Sequence, residues 1–258
     1  MSSMIASEIA ARSQAGVGVE VVEETGSTNA DLLARASSLD APLLLAARNQ
    51  TAGRGRAGRS WLSSSEGSLT FSLAWRFEGG VQRLAGLPLA VGVALAEALD
   101  TLGVQVGLKW PNDVLRGGDK LAGILIETQN APGGGVWAVI GIGLNLLMPD
   151  ELEAQIGRSV ASLPWLARMD RNELMAALLD ALAAALRAFD GAGFQAFAAR
   201  WNRRHAWQGE TVLILDAGKV LHEGAAAGVD DAGRLLLDTA EGRITVLAGD
   251  VSLRVKEA

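Results

Sequence analysis

Apolar and polar positions alternate along this chain with two periods, and the changes of period divide it into elements. Met4, Ile5, Ile9 and Ala10 mark one face of a short helix, and residues 17–22 have the β-rich character of a strand. Thr28 followed by Asp31 predicts a capping box for a helix over 29–35, with a short buried strand over 43–47. A strand is expected at 69–75, a helix at 84–102, and buried strands in the aliphatic runs 104–109, 121–127 and 136–146. Leu174, Leu178, Leu182 and Leu186 share a helical face, a further helix ends near His205, and no strand is expected in that stretch. From Gly209 the pattern changes to short strands at 211–215, 235–238 and 244–247, with turns at Asp216-Ala217-Gly218 and Asp231-Ala232-Gly233, which predicts a small β-barrel. The alanine-rich stretch 181–188 keeps its leucine spacing and reads as helix, and no internal repeat is visible.

Length and composition narrow the classes. At about 100 to 200 residues per domain, 258 residues fit one large domain or a medium one with a small companion. The 49% hydrophobic and 20% charged content is that of a globular chain. A net charge of −6 argues against a general nucleic-acid surface, so any anion site must be local. Without cysteine there is no disulfide, zinc-thiolate site or thiol nucleophile, which fits a reducing compartment, and the cytoplasm is the expected location. Residues 1–15 lack the pattern of a signal peptide, and no run reaches about 18 uncharged apolar residues, so no membrane span is expected.

The loop Gly53-Arg54-Gly55-Arg56-Ala57-Gly58-Arg59-Ser60 matches G-x-G-x-x-G and nearly matches a P-loop, with Arg59 at the lysine position. Both motifs open a helix, whereas here a serine-rich loop leads to a strand, and both readings are rejected. What remains is physical: glycines that let the backbone approach a ligand and turn its N–H groups inward, and arginines that add forked permanent donors. An ordinary solvated basic loop is the plain alternative, set against Gln50, Trp61 and five serines close by. In Lys109-Trp110-Pro111-Asn112-Asp113 a strand ends and proline stops it, leaving Asn112 and Asp113 at the tip. Lys120 is one of four lysines and starts an aliphatic strand; pointing inward, it would need Asp113 or an anionic ligand as partner. Gly141-Ile142-Gly143-Leu144-Asn145 ends another strand with small residues and one amide, and Ser27-Thr28-Asn29 serves equally as a helix cap. His205 and His222 are the only histidines and fall in different expected domains, so no triad or histidine-rich metal site is expected and both read as structural; Glu23, Glu24 and Asp150 read as solvated.

Taken in order, Ser27-Thr28-Asn29, Gln50 with 53–59, Lys109 to Asp113, Lys120 to Glu127 and Gly141 to Asn145 resemble the motif series of biotin protein ligases. The segment with Gly224, Gly228, Gly233 and Gly249-Asp250-Val251 is similar to that family's small SH3-like domain. The resemblance implies an α+β fold: a mixed β-sheet with helices, like the catalytic domain of class II aminoacyl-tRNA synthetases, over 1–207, and a C-terminal SH3-like β-barrel over 208–258. It implies ATP and Mg2+, with biotin as substrate, giving biotinyl-5′-AMP and pyrophosphate and then a biotinylated lysine on a biotin carboxyl carrier protein. No protein nucleophile is required.

By the same resemblance, Ser27, Thr28, Asn29 and Gln50 hold the ureido ring, while Arg54, Gly55 and Arg56 close over the adenylate. Lys120 bridges the biotin carboxylate and the α-phosphate, and Asp113 orients Lys120 or accepts a proton. Gly53, Arg56, Arg59, Trp61, Asn112 and Asn145 face the nucleotide, and no protein metal ligand set is expected. Trp61, and with it Trp165, is expected over the adenine, a core position being the plainer reading of Trp165. The residues before Val17 are too few for the helix-turn-helix of the family's repressors, so direct DNA binding is not expected. A lipoate protein ligase is the enzymatic alternative, but its R-R-x-x-G-G-G-x-V-x-H-D motif is absent. A homodimer through a sheet edge is compatible with the pattern.

Overall fold

The computed structural model describes residues 3–216, 218–249 and 251–256. In chain order it has helix α1 (Ala6–Arg12), strand β1 (Gly18–Thr25), α2 (Thr28–Arg35), β2 (Leu43–Gln50), β3 (Ser68–Phe77), α3 (Leu87–Thr101), β4 (Gly107–Lys109) and β5 (Asp113–Arg116). These are followed by β6 (Asp119–Asn130), β7 (Val136–Asn145), α4 (Asp150–Ile156), α5 (Arg171–Ala192), α6 (Gln195–Asn202), β8 (Thr211–Asp216), β9 (Lys219–Val229), β10 (Leu235–Thr239), β11 (Gly242–Val246) and β12 (Ser252–Val255). Seven strands form one sheet in the order β1-β2-β3-β7-β6-β5-β4, and five form a second in the order β11-β10-β9-β8-β12. In the large sheet β1 and β2 run parallel and the remaining pairs antiparallel, so the expected mixed α+β architecture is present.

Strand β3 shows how the sequence separates core from site. Leu69, Phe71, Leu73, Trp75 and Phe77 project into the main core with α3 and α5, while Ser68, Thr70, Ser72 and Ala74 alternate onto the other face, where α2 packs. Both faces are covered, so the hydroxyls are buried although the strand is otherwise apolar. Helix α3 is apolar all round and buried along most of its length, the behaviour of a central core helix. The stretch 81–101 is long and apolar enough to cross a membrane by composition, yet it is 67% buried inside this fold. Leu174, Leu178, Leu182 and Leu186 line the buried face of α5, as their spacing predicts.

Several local expectations are corrected. Ser27, not Thr28, caps α2: its side chain accepts from the Ala30 N–H, and Asp31 instead accepts from the Thr25 hydroxyl at 2.5 Å. Met4 and Ile9 are buried, whereas Ile5 and Ala10 are exposed, because α1 begins only at Ala6. The strand expected over 104–109 starts at Gly107, since the Val104 N–H is taken by the Leu99 carbonyl at the end of α3. Pro111 does not simply stop a strand: with a cis Trp110-Pro111 bond it makes the turn of the β4–β5 hairpin, in which Lys109 pairs with Asp113. Helix α4 and strands β5, β9 and β12 were not expected; β9 carries Gly224-Ala225-Ala226-Ala227-Gly228, residues of low strand preference and no clear alternation. Ala217 and Asp250, which belong to two of the motifs read from the sequence, lie outside the described residues.

Candidate active site

A cavity of about 390 Å³ opens on the face of the large sheet that carries Ser72, beside α2 and under the glycine–arginine loop, with β12 lining part of its wall. This volume lies within the range of small-ligand sites, about 300–1,000 Å³. Its walls include Ser27, Thr28, Asn29, Gln50, Arg54, Gly55, Arg56, Arg59, Trp61, Asn112, Asp113, Lys120 and Asn145. The sequence placed every one of these in the site, and the fold gathers them from segments spread over 119 positions of chain, Ser27 to Asn145, inclusive.

One end of the cavity is a buried polar network. The Gln50 side-chain carbonyl accepts from the Thr28 N–H at 2.8 Å and lies 3.0 Å from the Thr28 hydroxyl, which is itself 2.8 Å from the Ser72 hydroxyl. With its oxygen engaged, the Gln50 amide keeps its NH2 as the group offered to a ligand. Asn29, on the first turn of α2, donates to Glu127 on β6 at 2.6 Å, and its own Oδ1 is buried without a partner. Ser72 was missed by sequence reasoning. The signal was there in Ser68, Thr70 and Ser72, hydroxyls at every second position of an apolar strand.

The glycine–arginine loop is a hairpin-like strap and opens no helix longer than a single turn at 56–58, as its rejection as a nucleotide motif requires. Its main chain is bonded to itself: Gly55 N–H donates to Arg59 at 2.6 Å, and Trp61 N–H to Gly53 at 2.9 Å. These two N–H groups are therefore not turned toward the cavity, contrary to expectation, whereas Arg54, Arg56 and Arg59 line it. Arg54 reaches Glu127 at 2.8 Å; Arg56 donates to the Asn112 side chain at 3.2 Å and to the Gly249 carbonyl. Gly53 lies outside the cavity wall, packed against the Trp61 main chain so closely that a Cβ there would sit 2.4 Å from the Trp61 carbonyl oxygen. The Trp61 ring lies against Gly143, where a Cβ would come within 2.2 Å of it, and 5.6 Å from the Lys120 ammonium.

The other end of the cavity is cationic around one carboxylate. Lys120 Nζ is 2.6 Å from Asp113 Oδ1, as an inward lysine requires, and Lys109 Nζ is 3.7 Å from Oδ2. Burial pushes the Asp113 carboxyl up, but the Lys120 and Lys109 charges and the Lys120 hydrogen bond outweigh it and hold the group below its ordinary value. Lys109 is lowered by burial, assisted by the charges of Lys120, Arg158 and Arg254 and opposed by Asp113. The Lys109 ammonium also stands 4.6 Å over the Trp207 ring. Arg158 follows α4 and Arg254 lies on β12, so two elements the sequence did not reveal supply the cations it missed. Among the described residues no cluster of three or more His, Cys, Asp or Glu could hold a metal ion.

Trp165 is neither in the core nor in the cavity wall: it is 45% exposed with the Arg116 guanidinium 4.5 Å over its ring. His205 is buried between the two sheets, its Nδ1 3.1 Å from Gln208 and its Nε2 without a partner; burial lowers its pKa against the opposing Gln208 hydrogen bond. His222 is exposed on β9, and neither histidine lines the cavity.

Residues 19–145 match the model of the biotin/lipoate A/B protein ligase family, and residues 209–254 that of the biotin protein ligase C-terminal domain. A biotin–[acetyl-CoA-carboxylase] ligase of Mycobacterium tuberculosis is 39% identical over 90% of this chain and 88% of that protein. The bifunctional ligase/repressor BirA of Escherichia coli is 36% identical over 94% of this chain and 76% of that protein. Among solved structures, biotin protein ligase from Aquifex aeolicus in complex with biotin and ATP has a TM-score of 0.77 at 30% identity, covering 92% of this chain and 99% of that one. With the motif residues gathered around a single cavity and both sheets matched, the chain belongs to the biotin protein ligases of the biotin/lipoate A/B protein ligase family.

Proposed function

We infer that the chain is an ATP-dependent biotin protein ligase: it joins biotin to AMP with release of pyrophosphate, then transfers biotin to a lysine of a biotin carboxyl carrier protein. The observation that carries this reading is one cavity with a neutral hydrogen-bonding end at Thr28, Asn29 and Gln50 and a cationic end at Lys120. A polar ring at the first end and an acyl phosphate at the second fit that division.

In this reading the Gln50 NH2 and the Asn29 oxygen face the ureido ring, and Trp61 forms the apolar wall leading to Lys120, which carries it toward the nucleotide. Lys120 neutralises charge as a biotin carboxylate oxygen attacks the α-phosphorus, and again as AMP leaves. Two ammonium groups keep Asp113 ionised, which makes it a poor proton acceptor, and we assign it the orientation of Lys120. Lys109, Arg158 and Arg254 suit the departing pyrophosphate, and Arg54, Arg56 and Arg59 the retained phosphate. Magnesium would enter with the nucleotide, held mainly by phosphate oxygens and faced by Asn112 and Asn145, an ion of this kind needing few protein ligands.

Residues 1–207 are read as the catalytic domain, related in fold to class II aminoacyl-tRNA synthetases, and 208–258 as an SH3-like barrel. A carboxylase carrier domain is the assigned partner and the cytoplasm the assigned location. The test is biotin-dependent ATP–pyrophosphate exchange together with a biotin-sized mass increase on one lysine of an apo carrier. Exchange stimulated by lipoate or octanoate but not by biotin would overturn the reading.

A further inference from the structure

Asn29 is buried to 97%, being 3% exposed, and its two amide atoms have opposite fates. Nδ2 donates to Glu127 Oε2 at 2.6 Å, while Oδ1 lies against Gly141 on the cavity floor without a partner. An amide can usually turn over, exchanging donor for acceptor. Here it cannot, because the carboxylate Oε2 accepts from both Asn29 and Arg54: the NH2 must face Glu127 and the oxygen must face the cavity. The same Oε2 takes a hydrogen bond from Arg54 at 2.8 Å. Glu127 itself does not line the cavity.

We propose that Glu127 is a positioning residue that determines specificity: it locks the Asn29 amide with its oxygen toward the ligand, so that the site demands an N–H donor there, and it anchors Arg54 of the overlying loop. This rests on the reading of the ligand as biotin, whose ureido ring supplies such a donor. A ligand with an oxygen in place of that N–H would set two acceptors against each other in a buried site, the arrangement that gives the strongest discrimination between near-isosteres.

The experiment compares biotin with the two analogues in which one or the other ureido N–H is replaced by oxygen, in the exchange assay on the full chain. The wild type should disfavour one analogue by at least about 100-fold in kcat/KM. In Glu127→Gln the new amide can donate as well as accept, the Asn29 amide is free to turn, and that ratio should fall at least about tenfold, with KM for biotin raised more than kcat is lowered. Glu127→Asp, still acceptor-only, should retain most of the ratio. Arg54→Ala, which removes the anchor but not the lock, should raise KM for biotin and leave the ratio unchanged. A wild-type ratio surviving intact in Glu127→Gln would overturn the proposal. So would a wild type that accepts both analogues as readily as biotin, an outcome that needs no variant to fold. A wild type with no biotin-dependent exchange at all would instead sink the reading of the enzyme.

Discussion

Lys120 meets Asp113 at 2.6 Å in a largely buried site, and the contact decides what each can do. Lys120→Met should lower biotin-dependent pyrophosphate exchange by about 10²–10³-fold, the usual loss when one stabilising donor is removed. It should also cost on the order of 1–3 kcal/mol in denaturant unfolding, because a buried carboxylate loses its closest partner. Lys109, 3.7 Å away, softens this cost but does not replace a hydrogen bond. Arg56→Gly should still form the adenylate and release it about 10- to 100-fold sooner, as follows from losing one charge-assisted contact of about 1.5–3 kcal/mol. A release rate equal to wild type, followed with radiolabelled intermediate in a filter assay, would refute that role. At this scale the site was well marked in the sequence, because Lys120, Asp113, Asn29 and Gln50 sit in motifs. Arg158 and Arg254 were not legible as site residues, and Glu127, although it closes the motif that begins at Lys120, showed no role there: the importance of all three lies in which residue they face across the fold, which no local pattern records.

Element by element, legibility follows burial. The leucine spacing of α5 and the aliphatic runs of β6 and β7 announce themselves because each has a large apolar face to cover. The aliphatic run 104–109 reveals β4 though not its start, whereas the short hairpin strand β5 and the alanine-rich β9 are defined by pairing partners, so their sequences carry little sign of them. The segment after α6 joins the two sheets: Leu108 accepts from the Ala206 N–H at 2.9 Å, and His205 is buried beside Trp201, ring centroids 4.8 Å apart. His205 has a lowered pKa in the folded chain. The unfolded chain therefore binds a proton first, near pH 6.5, so this histidine contributes stability above that pH and withdraws it as the pH falls. Denaturation midpoints should drop between about pH 7 and pH 5, and His205→Gln should flatten that part of the profile. An identical slope in the variant would remove His205 as the cause.

Across the whole molecule, a net charge of −6 coexists with a cavity end built from Lys109, Lys120, Arg158 and Arg254. The acidic balance argued that any anion site must be local, and these cations do gather at one end of the cavity; it could not say that the second sheet contributes to that end through β12. Since screening shortens from about 10 Å at 0.1 M salt to about 3 Å at 1 M, KM for ATP should rise with salt, whereas KM for biotin, read by neutral hydrogen bonds, should change little. Equal salt dependence of the two constants would contradict the division of the cavity. The sheets are also joined in the core, where the Trp110 indole N–H donates to the Gly233 carbonyl at 3.2 Å.

The strap over the cavity is moored at both ends of this architecture, through Arg54 to β6 and through Arg56 to the Gly249 carbonyl in the segment that leads into β12. The second mooring is a main-chain oxygen, which every amino acid possesses. A side chain introduced at Gly249 meets open space and leaves the mooring atom in place, while one inserted or deleted residue there would move the oxygen out of reach of Arg56. What the strap requires at that position is a length of chain.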